Sequence, residues 1–398
     1  MHRRALTFFT LLFSLFLLLF AFASCNIGAG GKWDDPGGDG PGAGGVIVPG
    51  SGVAEKVSWL RTNARSGGGY VIEISHDESV YQTFLLFLNR IDITITIKGV
   101  GANRILSLLY QGNLFYVAGG VTLVLESNVT LKGSDDNIYP LVYIAPGGAF
   151  RMNTGSAVSG NISSVTGGVY VDGGTFAMNG GAIYGNSGGG IRGSGVTVTG
   201  GTFVMNGGSI AGNNAVSGGT VTMLGGSFVM NGGDISANFA RSGGAVMVCR
   251  GTFTMSGGTI SGNTAEIYGG AVIVGVEGVF TMSGGRISGN TAKAYGGAVY
   301  VSITGDFFMS GGTLFGNTAA YYGWGVYVSG TFTKTGGIIS GYAGGPVNVD
   351  APESSALGFA VYAYSDNEIR KRKETTAGPE ANLSYSGRNG EYGGDWDF

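Results

Sequence analysis

The chain of 398 residues carries 80 glycines, 12 % charged residues and 43 % hydrophobic ones, at a formal net charge of −3. Glycine without abundant proline excludes collagen, and that much apolar content disfavours a disordered chain. Mild acidity and the lack of a basic stripe exclude the electrostatic footprint of a nucleic-acid binder; the one cationic run, Arg370, Lys371, Arg372 and Lys373, reads as a solvated loop on the tail.

Residues 1 to 24 have the order of a secretory signal: His2, Arg3 and Arg4, an apolar run from Leu6 to Phe22, then the small residues Ala23 and Ser24. The run is too short, and ends too small, for a membrane-spanning helix across ~30 Å of hydrocarbon. Its removal would take two positive charges and no acid, moving the net charge from −3 to −5. Phe22-Ala23-Ser24-Cys25 resembles the lipobox of bacterial lipoproteins, with Phe22 where Leu is usual. That resemblance implies diacylglycerol in thioether linkage to Cys25, which becomes the first residue of an exported, membrane-anchored chain of the outer membrane or cell surface. The only other cysteine is Cys249, so a lipidated Cys25 leaves no disulfide framework.

Residues 25 to 53 hold Gly, Asp, Pro and Ala with little to bury, and predict a flexible tether with a reach of roughly 30 Å. Residues 54 to 149 predict an N-terminal cap and irregular early coils. Val57 to Ala64, with Trp59 and Leu60, reads as a short amphipathic helix that closes the open end of a stack. The alternations Ile93, Ile95, Ile97 and Val121, Leu123, Leu125 read as strands continuous with the array that follows.

Between residues 150 and 350 the repeat dominates. Phe-x-Met-Asn or Phe-x-Met-Ser recurs at Phe150, Phe176, Phe203, Phe228, Phe253, Phe280 and Phe307, with a degenerate copy at Phe332 where Lys334 replaces Met, a period of 25 to 27 residues. Phe and Met two positions apart share one face of a strand. Each unit continues through a Gly pair and an aliphatic residue, as in Gly257-Gly258-Thr259-Ile260, then Ser261-Gly262-Asn263, and closes on Gly-Gly-Ala-Val-x-Val, as at Gly243 to Val248. Three short strand-like pieces separated by Gly corners define one coil, and the array predicts an all-β fold: a right-handed, three-sided parallel β-helix of about ten coils. The column Asn161, Asn186, Asn213, Asn238, Asn263, Asn290 and Asn317 reads as a turn ladder in which Asn takes the left-handed conformation and stacked amides bond along the axis. Residues 351 to 398 predict a final strand near Leu357 to Tyr364 and a polar tail.

Phe176-Ala177-Met178-Asn179, Phe203-Val204-Met205-Asn206 and Phe228-Val229-Met230-Asn231, with the Gly-Gly-Ala-Val copies, resemble the repeats of chlamydial polymorphic outer membrane proteins. The fuller layout of lipobox, tether, early strands and Met-Ser-Gly-Gly-Thr-Ile-Ser-Gly-Asn-Thr coils resembles the β-helical lipoproteins of treponemes. The chlamydial resemblance implies surface display and adhesion; the chain departs from it in lacking a C-terminal translocating barrel. The treponemal resemblance implies no activity that transfers to a residue here.

Parallel β-helices also host polysaccharide lyases and hydrolases, which need clustered carboxylates. Asp172, Asp234, Glu266, Glu277, Asp306 and Asp350 fall in different coils at different phases of the repeat. His76 is the one histidine left after signal removal, which excludes His-based metal sites and disfavours a Ser–His or Cys–His nucleophile. We therefore expect no catalytic site, cofactor or metal, with a carbohydrate-active enzyme as the alternative. The candidate binding residues are aromatic. Tyr268, Tyr295 and Tyr322 precede the Gly corner in consecutive coils, and Tyr300 and Tyr327 lie outward between paired valines. Stacked, they stabilise a turn; as an exposed row, they are a surface for a host, cell-wall or carbohydrate ligand.

Overall fold

The computed structural model describes residues 45–340, 359–365, 368–372, 374–375, 382–387, 391–394 and 396. They form a parallel β-helix of about 11 turns. Its strands fall into three sheets of 22, 12 and 7 strands among the described residues.

A single coil shows how the sequence is used. Val246–Met255 is one ten-residue strand that carries both Val246-x-Val248 and Phe253-x-Met255. Thr259–Ser261 turns onto the second sheet and Thr264–Tyr268 onto the third. The three sides therefore differ from the three pieces expected from the repeat. The Val-x-Val and Phe-x-Met pieces share one sheet, and the third side is the pair after Asn, such as Thr291–Ala292 and Thr318–Ala319. Two residues are too few for alternation to be visible in a sequence, and only pairing with the coils above and below makes them strands.

The interior is built from columns. Phe150 pairs with Phe176, and that register repeats through Phe203, Phe228, Phe253, Phe280, Phe307 and Phe332. All eight rings are fully buried, and successive centroids lie 4.5 to 5.3 Å apart. Each buried Phe contributes about 1.5–3 kcal/mol of transfer free energy. The column continues into the early coils as Leu123, Ile95 and Tyr70, so the irregular region keeps the same core position with other apolar side chains. Beside it, the Met side chains reach over the Gly pairs. At Gly258, φ is +80° and a Cβ would meet Met230 Cε at 2.7 Å, so both the backbone and the packing demand glycine.

The Asn column is a buried ladder. Nδ2 of Asn186, Asn213, Asn238, Asn263 and Asn290 each donates to the Oδ1 of the next Asn at 2.9 to 3.1 Å, and that Oδ1 also accepts the backbone N–H of the donor residue. Asn137 extends it by donating to Asn161 at 3.0 Å. The left-handed conformation expected of these asparagines belongs instead to the residue before each. Gly185, Gly212, Gly262, Gly289 and Gly316 have φ of 60° to 63°, with Ala237 in the same place at 53°. The amide must point inward along the axis, and the preceding residue makes the bend that allows it.

Both ends are closed. α1 (Val53–Asn63) starts four residues before the expected Val57 and buries Val53, Val57 and Leu60 over the first coil. Ser51 donates its backbone N–H and its hydroxyl to Glu55, both at 2.9 Å, and these bonds hold that carboxyl below its ordinary pKa. At the other end Val361–Ser365 adds a last parallel strand on Val326–Val328. The tail expected to be polar then runs antiparallel: Glu368–Arg372 returns on Val361–Ser365, and Leu383–Ser386 covers Thr331–Lys334. Arg370, Lys371 and Arg372 thus lie on a strand and not in a loop. Tyr385 is buried opposite Phe332, and Trp396 meets its ring edge-on. An antiparallel strand laid on a parallel stack ends the register that another coil would extend.

Candidate functional site

Two of the aromatic candidates, Tyr300 and Tyr327, come from one structural rule. In Val-x-Val the two valines face the core, and the residue between them faces out from the first sheet. Register carries this outward position through Phe84, Tyr116, Tyr143 and Tyr170, then Thr197, Thr222, Met247 and Ile273, then Tyr300, Tyr327 and Tyr362. The row is aromatic at both ends and covered in the middle. Thr197 accepts the backbone N–H of Gly193 at 2.8 Å and Thr222 that of Gly219 at 3.0 Å, and both threonines are fully buried beneath those loops.

At the C-terminal end all five tyrosines expected from the repeat meet in one cluster. Tyr300 stacks on Tyr327 at 5.2 Å, and Tyr268, Tyr295 and Tyr322 stack along the neighbouring corner at 5.9 and 5.7 Å. The two columns interlock one coil out of step: Tyr268 on Tyr300 at 4.6 Å and Tyr295 on Tyr327 at 5.1 Å. Two members lay outside the expectation. Tyr362 completes the inner column, and Tyr321 tilts against Tyr295 at 5.6 Å. Tyr362 sits beyond the regular repeats; its one sequence signal is the Val-Tyr-Ala motif at 361–363, an imperfect Val-x-Val.

The stacking decides what the cluster offers. Tyr268, Tyr295, Tyr300, Tyr322, Tyr327 and Tyr362 each stack on at least one neighbouring ring, so much of their face area is taken up inside the cluster. Tyr321, 55 % exposed and tilted against Tyr295, stands out from the stack. Burial, then the neighbouring phenols, raises the pKa of Tyr295 and Tyr362, the latter to about 12. Burial also leads the rise at Tyr300 and Tyr327, opposed in each case by a Ser329 hydrogen bond. Tyr295, Tyr300, Tyr327 and Tyr362 are therefore neutral at ordinary pH.

The N-terminal cluster has a carboxylate. Tyr116, Tyr143 and Tyr170 stack at 5.0 and 5.3 Å, and Tyr143 donates its hydroxyl to Asp172. Thr199 donates to the other oxygen of Asp172 at 3.2 Å, and the Arg192 guanidinium lies 5.1 Å from the centre of the Tyr170 ring. Desolvation and the Asp172 contact push the Tyr143 pKa well up.

On another side of the solenoid, Asp135 and Asp136 border an open recess with Asn137, Ile162, Ser163 and Val216. This acidic pair lies upstream of the regular repeats of residues 150 to 350. The two carboxylates are adjacent in one turn, and the lining brings no base or cation to them. No group of three or more His, Cys, Asp or Glu side chains is placed to hold a metal among the described residues. Cys249 is half-buried inside Val246–Met255, where desolvation raises its thiol pKa. Cys25 lies outside the described residues.

The fold and these clusters define a class, a capped parallel β-solenoid with an external aromatic ladder. No family model, curated protein or solved structure matches the chain.

Proposed function

We propose that the protein is an exported, lipid-anchored cell-envelope component, held by lipid on Cys25 at the outer membrane or cell surface. In this reading its β-helix is a rigid scaffold with a structural or adhesive role. One observation carries the adhesive part: Tyr268, Tyr295, Tyr300, Tyr321, Tyr322 and Tyr327 form a fixed patch on the side of a closed solenoid. Tyrosines locked by their neighbours bind a partner at little cost in side-chain entropy, and their edges and hydroxyls suit a polar protein or cell-wall surface.

The test is protease accessibility on intact cells beside a Cys25→Ala variant. Digestion of the wild-type protein on intact cells, with release of the variant to the soluble fraction, is the expected result. Protection of the wild type would place it inside the envelope and remove the adhesive role.

A second reading, a polysaccharide hydrolase or lyase, draws on the Asp135 and Asp136 recess. Cleavage of a polysaccharide panel that is lost in Asp135→Asn/Asp136→Asn would favour it.

A further inference from the structure

At the N-terminal end the solenoid carries an apolar surface that neither cap covers. Thr83–Leu85 is the first strand of the Val-x-Val ladder, paired on one side only with Phe115–Val117. Along it and its extension, Leu85 and Phe87 are buried, whereas Phe84, Leu86 and Leu88 are exposed. Leu88 is 79 % exposed, Ile91 61 % and Tyr81 63 %. Single exposed apolar residues are ordinary; this many within one short segment marks an interaction site.

The surroundings are cationic. Arg61 donates to the Phe84 carbonyl at 3.3 Å and Arg90 to the Arg61 carbonyl at 2.8 Å, while Arg65 precedes Ser66, whose hydroxyl accepts the N–H of Ile91 at 3.1 Å. Asp92 follows Ile91 in the chain, Glu55 lies in the first turn of α1, and none of the ion pairs among the described residues uses these arginines. The described chain also begins at this end, where exposed Val46 and Ile47 pair as an outer strand with Tyr70 and Val71. Cys25 stands 20 residues before Gly45 in the sequence.

We propose that this rim is a membrane-contact surface: Phe84, Leu86, Leu88 and Ile91 enter the headgroup region of an anionic bilayer, and Arg61, Arg65 and Arg90 meet its phosphates. Apolar side chains bordered by arginine are the chemistry that binds anionic lipid surfaces. The inference rests on the lipid-anchored reading, because that anchor would present this end of the scaffold to the bilayer.

The test uses the full mature chain with Cys25→Ser, so that no lipid is attached, floated with phosphatidylglycerol–phosphatidylcholine vesicles and with phosphatidylcholine alone. Co-flotation with the anionic vesicles, reversed by salt, is expected. Leu86→Ser/Leu88→Ser should abolish it, and the independent exposed variant Arg65→Glu should weaken it by about tenfold or more. Absence of flotation, or flotation unchanged in both variants, overturns the proposal. So does a protein that misses vesicles but self-associates through Leu86 and Leu88, which would assign the rim to a second copy. Labelling of wild-type cells with radioactive palmitate reads the anchor separately: label without flotation leaves the anchor and removes the rim, and flotation without label does the reverse.

Discussion

Tyr322 and Tyr362 stack at 4.7 Å with their rings 9° apart, although 40 residues separate them in the chain. The contact ties the last parallel strand to the regular coils, because Val361–Ala363 must pair with Val326–Val328 for the rings to meet. It also makes the aromatic cluster part of the C-terminal closure.

The cluster predicts the alkaline behaviour of the protein. Tyr295, Tyr300, Tyr327 and Tyr362 have raised pKa values in the fold, and an unfolded phenol titrates near 10. The folded state therefore holds protons that the unfolded state has lost, and stability falls as pH rises above about 10. Their contribution is complete below pH 10 and, for Tyr362, is lost as pH passes about 12. Denaturation midpoints across this range, with tyrosinate absorbance as a second probe, should decline together. A flat midpoint through pH 12 would contradict the packing.

The buried ladder predicts a steep cost for one amide. Asn263 donates to Ile235, Ser261 and Asn290 and accepts twice from Asn238, all at 2.9 to 3.1 Å. Asn263→Ala leaves the Asn238 donors and two carbonyls short of partners, and should cost about 2–4 kcal/mol, read as a lower urea midpoint. The exposed asparagines offer the control. Asn206 also donates along a ladder, to Asn179 at 2.9 Å, yet it faces water, and Asn206→Ala should change the midpoint little.

Ala237 predicts a gain. It holds φ of 53° where its equivalents are glycine. A Cβ in the left-handed region costs about 1–2 kcal/mol, and glycine's extra freedom when unfolded offsets roughly 0.5–1 kcal/mol of the relief. Ala237→Gly should raise the midpoint slightly, whereas Gly262→Ala should lower it. Equal effects of the two changes would mean that the bend carries no strain.

Position relative to the sheet, more than residue size, predicts the cost of losing a ring. Phe253→Ala opens a cavity inside a stack of fully buried rings and should cost about 3–5 kcal/mol. Tyr321→Ala removes a 55 % exposed ring and should cost under about 1 kcal/mol, while weakening any partner that reads the cluster. Thermal denaturation separates the two effects, and a binding assay on Tyr321→Ala isolates the second.

Coil period, the identity of the core columns and the presence of a helical cap were legible in the sequence, because each is fixed by side chains close together in the chain. Phe and Met two apart must share a face, and a 25- to 27-residue repeat of them must stack. Tertiary structure decided what depends on the coil above. It made strands of pairs such as Thr291–Ala292, moved the left-handed bend from Asn263 to Gly262, and turned the polar tail into an antiparallel lid. It also joined Tyr362 to Tyr327 and gathered apolar and cationic side chains at the N-terminal rim. In a parallel stack the neighbours of a residue lie a whole coil away, and coil lengths vary, so register is settled by packing and by loop length together.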